Sequence, residues 1–240
     1  MPELPEVETI ARGVDERVRG DRIVEVWFGS HREPFKTPAA LQAEALAGRS
    51  ILGVHRSGKH IVCELGAKAK GGPRQSRSRA NSEPEAQWIV HLGMTGRLLV
   101  TTLDASLAAH THARLTLASG REVRFVDPRR FGRLEFRDLG HTAAFSAPGA
   151  EPLAIGAKEF AALFHGRRLA IKAALLNQSL LSGVGNIYAD ESLFRAGIRP
   201  RRLAGRLSGA ELERLRLALS EVLKHAIRLG GSSVWINSAM

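Results

Sequence analysis

Leu181-Ser182-Gly183-Val184-Gly185-Asn186 separates two stretches of helical periodicity, residues 168–181 and 186–196, and decides how the second half of the chain is read. Two glycines one residue apart allow a tight turn with close backbone approach, and Asn186 is placed to cap the helix that follows. N–H groups opened at such a helix start form an anion site suited to a phosphate group. A plain helix–helix turn with no ligand is the alternative. Farther on, Ser208 and Glu211 have capping-box spacing at the head of a third helix, residues 209–229. Its Leu212, Leu215, Leu219, Leu223, Ala226 and Ile227 fall on one apolar stripe and belong to a core. Before about Gly149 the period is 2 instead. Short runs rich in branched residues mark strands at Ile23–Phe28, His60–Leu65, Trp88–Leu92, Arg97–Thr101, Ala113–Ala118 and Glu122–Val126. A helix precedes them, with Val7, Ile10, Val14 and Val18 on one face and Gly20 as its stop. Strands followed by helices predict an α+β chain of two domains with a cleft between them, the strands in a sandwich or barrel.

Composition narrows the function. Of 240 residues 44% are hydrophobic and 25% charged, ordinary globular values, and no run of 18 apolar residues is present. The acidic, proline-studded start resembles no export signal, and a single cysteine can form neither an internal disulfide nor a cysteine metal cage. The chain therefore reads as cytosolic, and Cys63 as a small buried apolar residue. Net charge is +11, and since seven of the 35 basic residues are lysines the other 28 are arginines. Such a balance favours nucleic acid as partner, with a membrane surface second, and 5% aromatics favours duplex over single strands.

Three further segments bear on binding. Gly66 to Gln87 has only alanines as apolar residues and carries five cations, so it is expected to be a disordered hairpin loop or a basic arm. Asp127-Pro128-Arg129-Arg130-Phe131-Gly132 has the look of a wedge, a ring to occupy a gap in a base stack and an arginine for the orphaned base. His91-Leu92-Gly93-Met94-Thr95-Gly96 is a second glycine-bounded turn, with a flexible apolar tip. Each alone is more often a core or turn element than a wedge.

Taken with the opening Met1-Pro2-Glu3-Leu4-Pro5-Glu6-Val7-Glu8-Thr9, these segments resemble the formamidopyrimidine-DNA glycosylase family, bacterial repair enzymes for oxidised purines. Arg56-Ser57-Gly58-Lys59-His60, Ala170-Ile171-Lys172 and the run from Gly183 to Phe194 match the family in order, over residues 2 to about 233. The Pro-Glu-Leu-Pro-Glu form is closer to this branch than to the related endonuclease VIII branch. The resemblance implies an N-terminal helix plus β-sandwich domain over residues 2–145 and a helix-two-turn-helix domain over 150–237. It also implies a monomer acting in the bacterial cytoplasm, at the nucleoid, on duplex DNA with oxidised bases or abasic sites. Pro2, after removal of Met1, is then the nucleophile at the sugar C1′, Glu3 the general acid and base, and Lys59 a contact to phosphate flanking the lesion. The implied DNA-binding set is Met94, Arg129, Phe131, Lys172, Asn186 and His112, of which the first three fill the hole left by the flipped nucleotide. Base release is followed by β,δ-elimination.

The chemistry suits these residue types. An α-amino group has a pKa of about 7.7–8, so a usable fraction is unprotonated at neutral pH. Proline's secondary amine gives a charged iminium at C1′, an electron sink that acidifies the C2′ proton. A neighbouring carboxyl protonates the opening sugar and shuttles protons. The structural alternatives are a favoured residue after an initiator methionine, and acids that complement a helix dipole. Members of the family usually end in a four-cysteine zinc finger; the 240 residues here encode no such site, so no metal or other cofactor is expected. Without that finger two other readings stay open: a non-catalytic binder of damaged DNA, and a lyase acting mainly on abasic sites or oxidised pyrimidines.

Overall fold

The computed structural model describes residues 1–30, 34–68 and 83–231. By compactness the chain divides into two units. One comprises residues 1–2, 10–56 and 60–145; the other comprises 3–9, 57–59 and the chain from Ser146 onward. Glu3 and Lys59, which the sequence places in the N-terminal domain, are thus grouped with the helical unit.

The first unit is built on two four-stranded sheets. Strands β1 (Ile23–Phe28), β6 (Thr111–Leu117), β7 (Arg121–Val126) and β5 (Arg97–Thr102) form one, in that order. Strands β2 (Arg49–Ser57), β3 (His60–Lys68), β4 (Ala86–His91) and β8 (Arg133–Asp138) form the other. The pairings β1–β6, β6–β7, β5–β7, β3–β4 and β4–β8 are antiparallel. Trp88 and Phe125 are the largest of its fully buried side chains, among Ile61, Leu65, Leu115 and Leu117. Their burial is the main stabilising term, at about 1.5–3 kcal/mol per large apolar side chain. Helix α1 (Leu4–Val18) precedes the strands as periodicity predicts, burying Leu4, Val7, Val14 and Val18.

Sequence periodicity did not indicate β2, β8 or helix α2 (Ala39–Leu46). In β8, Arg133, Glu135 and Arg137 alternate with only two large apolar residues, Leu134 and Phe136. In β2, Arg49 is buried because its guanidinium donates to the carbonyls of Ala45 and Gly66 and lies over the Phe136 ring. The expected loop 66–87 is shorter than its composition suggests. Gly66 to Lys68 extend β3, and Ala86 and Gln87 open β4 in register with Leu65 and Glu64. Residues 69–82, with most of that segment's cations, lie outside the described residues.

The second unit contains α3 (Ala157–Phe164), α4 (Ile171–Leu176), α5 (Asn186–Arg195) and α6 (Gly209–Arg228). Its core joins Phe160, Phe164, Leu175, Tyr188, Leu193 and Leu219 with Leu4 from the first turn of α1. The capping box predicted at Ser208 and Glu211 is present. The helix expected over 168–181 is confined to α4. At Asn177 the side chain accepts from the Ser179 amide at 3.0 Å, a local bond that competes with helical continuation. Helix α3 was missed. Among the described residues no helix is long and apolar enough to cross a membrane.

Candidate active site

Two helix starts in the helical unit satisfy each other. Glu3 caps α1: its carbonyl accepts the first intrahelical bond, from Val7 N at 3.1 Å. Glu6, three residues on, reaches back so that its Oε2 accepts from Glu3 N at 2.9 Å, half of a capping box. The Glu3 side chain does not complete that box. It turns instead to α5, where Oε1 accepts from Ile187 N at 3.1 Å and Oε2 from Tyr188 N at 3.4 Å. Tyr188 returns the contact, its hydroxyl donating to Glu6 Oε1 at 2.5 Å.

This corrects two expectations. Asn186 is not the cap of α5; Gly185 is, with no side-chain capping bond, and Asn186 is the exposed first helical residue. That helix start is taken by the Glu3 carboxyl and is not a free place for phosphate. Both glycines have a physical reason. A Cβ at Gly185 would stand 2.1 Å from Glu3 Cδ. Gly183 sits at φ +84°, its carbonyl accepting from Leu4 N at 3.0 Å.

Glu3 is 4% exposed. Burial raises its pKa, opposed by the two α5 amides and by the positive charge of Lys59, while Glu6 pushes it further up. Burial lowers the pKa of the half-buried Lys59, and the Glu3 charge resists that. The two thus oppose each other's desolvation shift. Pro2 is buried, and with Met1 attached its nitrogen belongs to a peptide bond. Lys172 lies near the start of α4 with Nζ 2.8 Å from Asp190 Oδ2, a partly exposed pair that leaves the ammonium accessible.

Met94, Arg129 and Phe131 lie on two turns of the first unit, and one buried acid braces both. Asp127 is fully buried; its Oδ1 accepts from the Thr95 hydroxyl at 2.7 Å and its Oδ2 from Gly132 N at 2.8 Å. A Cβ at Gly93 would lie 2.5 Å from the Phe131 carbonyl carbon, so the two turns touch backbone to backbone. Arg130 is held at φ +57°, a left-handed conformation that is strained for a residue with a side chain. Out of this brace stand Met94, 39% exposed, and Phe131, 49% exposed, with the Arg129 guanidinium 4.8 Å over the Phe131 ring. His112 is placed differently. It is 3% exposed and its Nε2 lies 2.9 Å from the Asp127 carbonyl, so it supports the turn from inside and presents no face to a ligand.

Residues 1–134 match the family model of the formamidopyrimidine-DNA glycosylase N-terminal domain, and residues 148–238 that of the formamidopyrimidine-DNA glycosylase H2TH domain. A formamidopyrimidine-DNA glycosylase of Moorella thermoacetica is 42% identical, over 98% of this chain and 81% of its own. That of Thioalkalivibrio sulfidiphilus is 41% identical with the same coverage. The chain belongs to the formamidopyrimidine-DNA glycosylase family. Among solved structures, a Lactococcus lactis Fpg mutant in complex with Fapy-dG containing DNA superposes with TM-score 0.83 at 30% identity, over 100% of this chain and 83% of that one. MutM in complex with carbocyclic 8-oxo-G containing DNA gives TM-score 0.83, also at 30% identity, over 97% and 82%.

In this glycosylase the sequence assigned no site role to three residues that shape the site: Glu6, Tyr188 and Asp127. Glu6 carried a signal, since Glu3 and Glu6 have the spacing of a cap and its third helical residue. Tyr188, the sole tyrosine, follows two residues after the turn, but nothing local says that its hydroxyl reaches an acid 182 positions away. Among the described residues no group of three or more His, Cys, Asp or Glu is placed to hold a metal ion.

Proposed function

We propose that this protein, as a monomer, excises oxidised purines from duplex DNA and then cleaves the strand at the abasic site, with Pro2 as nucleophile and Glu3 as acid and base. The observation that carries this reading is a buried carboxyl on the residue next to Pro2, held by two amides at a helix start and biased toward its protonated form. Such an environment suits a general acid at neutral pH.

The Pro2 nitrogen, freed by removal of Met1, attacks C1′, and the glycosidic bond breaks with its electron pair going to the base. The proton lost from the Pro2 nitrogen balances the one the departing base takes up. Glu3 protonates the ring oxygen as the sugar opens, leaving an iminium between the Pro2 nitrogen and C1′. Loss of the acidified C2′ proton expels the 3′ phosphate, and a second elimination expels the 5′ phosphate. Lys59 sits by Glu3 to meet the flanking phosphate, with Lys172 and Asn186 holding the backbone. Met94, Arg129 and Phe131 occupy the vacated stack. His112 serves the same turn by bracing it. An amine and a carboxyl suffice, and no metal enters.

Borohydride trapping tests this, on duplexes with 8-oxoguanine opposite cytosine or with an abasic site, using protein shown by mass to lack Met1. A covalent adduct through Pro2 with both duplexes, lost in Pro2→Gly, is expected. An adduct with the abasic duplex alone would restrict the activity to the lyase step, and no adduct with either would make the protein a binder.

A further inference from the structure

The crossed arrangement of α1 and α5 holds more than the proposed chemistry uses. Glu3 would act through its carboxyl, but Glu6 is 2% exposed and touches no reacting atom in that scheme. Its two oxygens instead join the Tyr188 hydroxyl, at 2.5 Å, to the Glu3 amide, at 2.9 Å. Tyr188 thereby grips both acids: its own amide donates to Glu3 Oε2 and its hydroxyl to Glu6 Oε1. Stability alone does not call for this. Burying a carboxylate costs free energy, and a well-packed apolar pair of similar volume serves a core as well or better. What the arrangement provides is geometry, because residue 3 is fixed through its side chain by α5 and through its main chain by Glu6. Pro2 is joined to that fixed amide by one peptide bond.

We infer that Tyr188 is a positioning residue of the reaction, its hydroxyl acting through Glu6 to fix the residue-3 amide and so the segment that carries Pro2 and the Glu3 carboxyl. The inference rests on the proposed function for its kinetic consequence but not for its geometry. Misplacement of a reacting group by an ångström lowers rate far more than binding, and a hydrogen bond to a buried charged group is worth at least a tenfold change. Tyr188→Phe keeps the ring and the amide and removes only the hydroxyl.

The experiment measures borohydride trapping on abasic duplex at saturating DNA, beside equilibrium affinity, for wild type, Tyr188→Phe, Glu6→Gln and the double variant. The expected result is a fall of about tenfold or more in the trapping rate of each single variant, with Kd within about twofold of wild type. The double variant is expected to be no slower than the slower single, because both act through one link. An unchanged rate in Tyr188→Phe, a loss confined to Kd, or multiplying losses in the double variant would overturn the inference. A merely structural role would lower the melting temperature without that pattern. If Tyr188→Phe fails to fold, the sole tyrosine supplies a second test. Burial and Glu6 both raise the pKa of its hydroxyl, so tyrosinate absorbance at 295 nm should appear at lower pH in Glu6→Gln than in wild type. Equal titrations would mean that the hydroxyl does not rest on Glu6. If wild type forms no adduct, the functional reading fails, and this titration alone decides the geometry.

Discussion

Glu3 and Phe131 stand for two ways of building a functional surface. Glu3 is 4% exposed and each carboxyl oxygen is held by an amide from another helix; Phe131 is 49% exposed, with the Arg129 guanidinium over its ring. In the helical unit the proposed acid–base group is itself the buried, satisfied element, and its position depends on contacts that span more than 180 residues. In the strand unit the proposed DNA-binding tips are exposed while the scaffold beneath them is buried: Asp127 with its bonds to Thr95 and Gly132, and Gly93 pressed on the Phe131 carbonyl carbon. Substitution should therefore act in opposite ways. In the first region small changes at residues that touch no reacting atom are expected to slow the chemistry, and in the second changes at the tips are expected to cost affinity.

The largest effect is expected at a residue with no side chain. Gly185 and Gly156 both cap helices without a side-chain bond, but a Cβ at Gly156 meets nothing within 4 Å whereas one at Gly185 meets the Glu3 carboxyl at 2.1 Å. Gly185→Ala should displace that carboxyl and lower single-turnover base release by about a hundredfold or more, the scale of a lost general acid. Gly156→Ala should leave the rate unchanged. Equal rates for the two variants would mean that Glu3 does not act from the position it holds here.

Next in size is the scaffold of the strand unit. Asp127→Ala leaves the Gly132 amide, the Thr95 hydroxyl and the Arg129 amide without their acceptor and should cost about 2–4 kcal/mol, seen as a lower melting temperature. Phe131→Ala removes an exposed ring and should change stability by no more than about 0.5 kcal/mol while weakening binding to abasic duplex. A melting loss as large in Phe131→Ala as in Asp127→Ala would erase the distinction between tip and scaffold.

The same contrast separates what was legible in the sequence. The tips and their turns could be read, because glycines flanking Met94 and the Asp-Pro-Arg-Arg-Phe-Gly run are local patterns. Helix α1, strand β1 and the capping box of α6 were legible for the same reason, since periodicity and caps act over a few residues. What could not be read is tertiary. His110-Thr111-His112 gives no hint that His112 turns inward to the Asp127 carbonyl. Asn186 has the side chain of a cap, yet the capping acceptor at α5 comes from residue 3. Strand β2 escaped because the burial of Arg49 depends on carbonyls at Ala45 and Gly66 and on the Phe136 ring.

The smallest effect tests the electrostatics of the buried site, where Lys59 matters by charge. Burial holds the Glu3 pKa above its ordinary value, and Lys59 pulls it partway back. Lys59→Met removes that pull, so the Glu3 pKa rises further. The pH–rate profile should have one limb set by Glu3 and the other by the Pro2 amine. The Glu3 limb should move to higher pH in Lys59→Met by less than about one unit, since the charge acts across a half-buried site at high effective dielectric. The amine limb should move much less. A lower rate from lost phosphate contact is expected as well, but it scales the whole profile and shifts neither limb. The stability consequence has a definite sign. A carboxyl whose folded pKa is raised stabilises the protein below its unfolded pKa, and that contribution is lost as pH rises through the folded value. Lys59→Met should therefore deepen the destabilisation above that folded value, where Glu3 is ionised without its counter-charge. Thermal melts from pH 4 to 8 would show the variant closing on wild type toward acid and falling behind it toward neutrality. A limb that stays in place, with parallel melts, would mean that Lys59 serves the phosphate alone and that the α5 amides and burial by themselves set the proton affinity of Glu3.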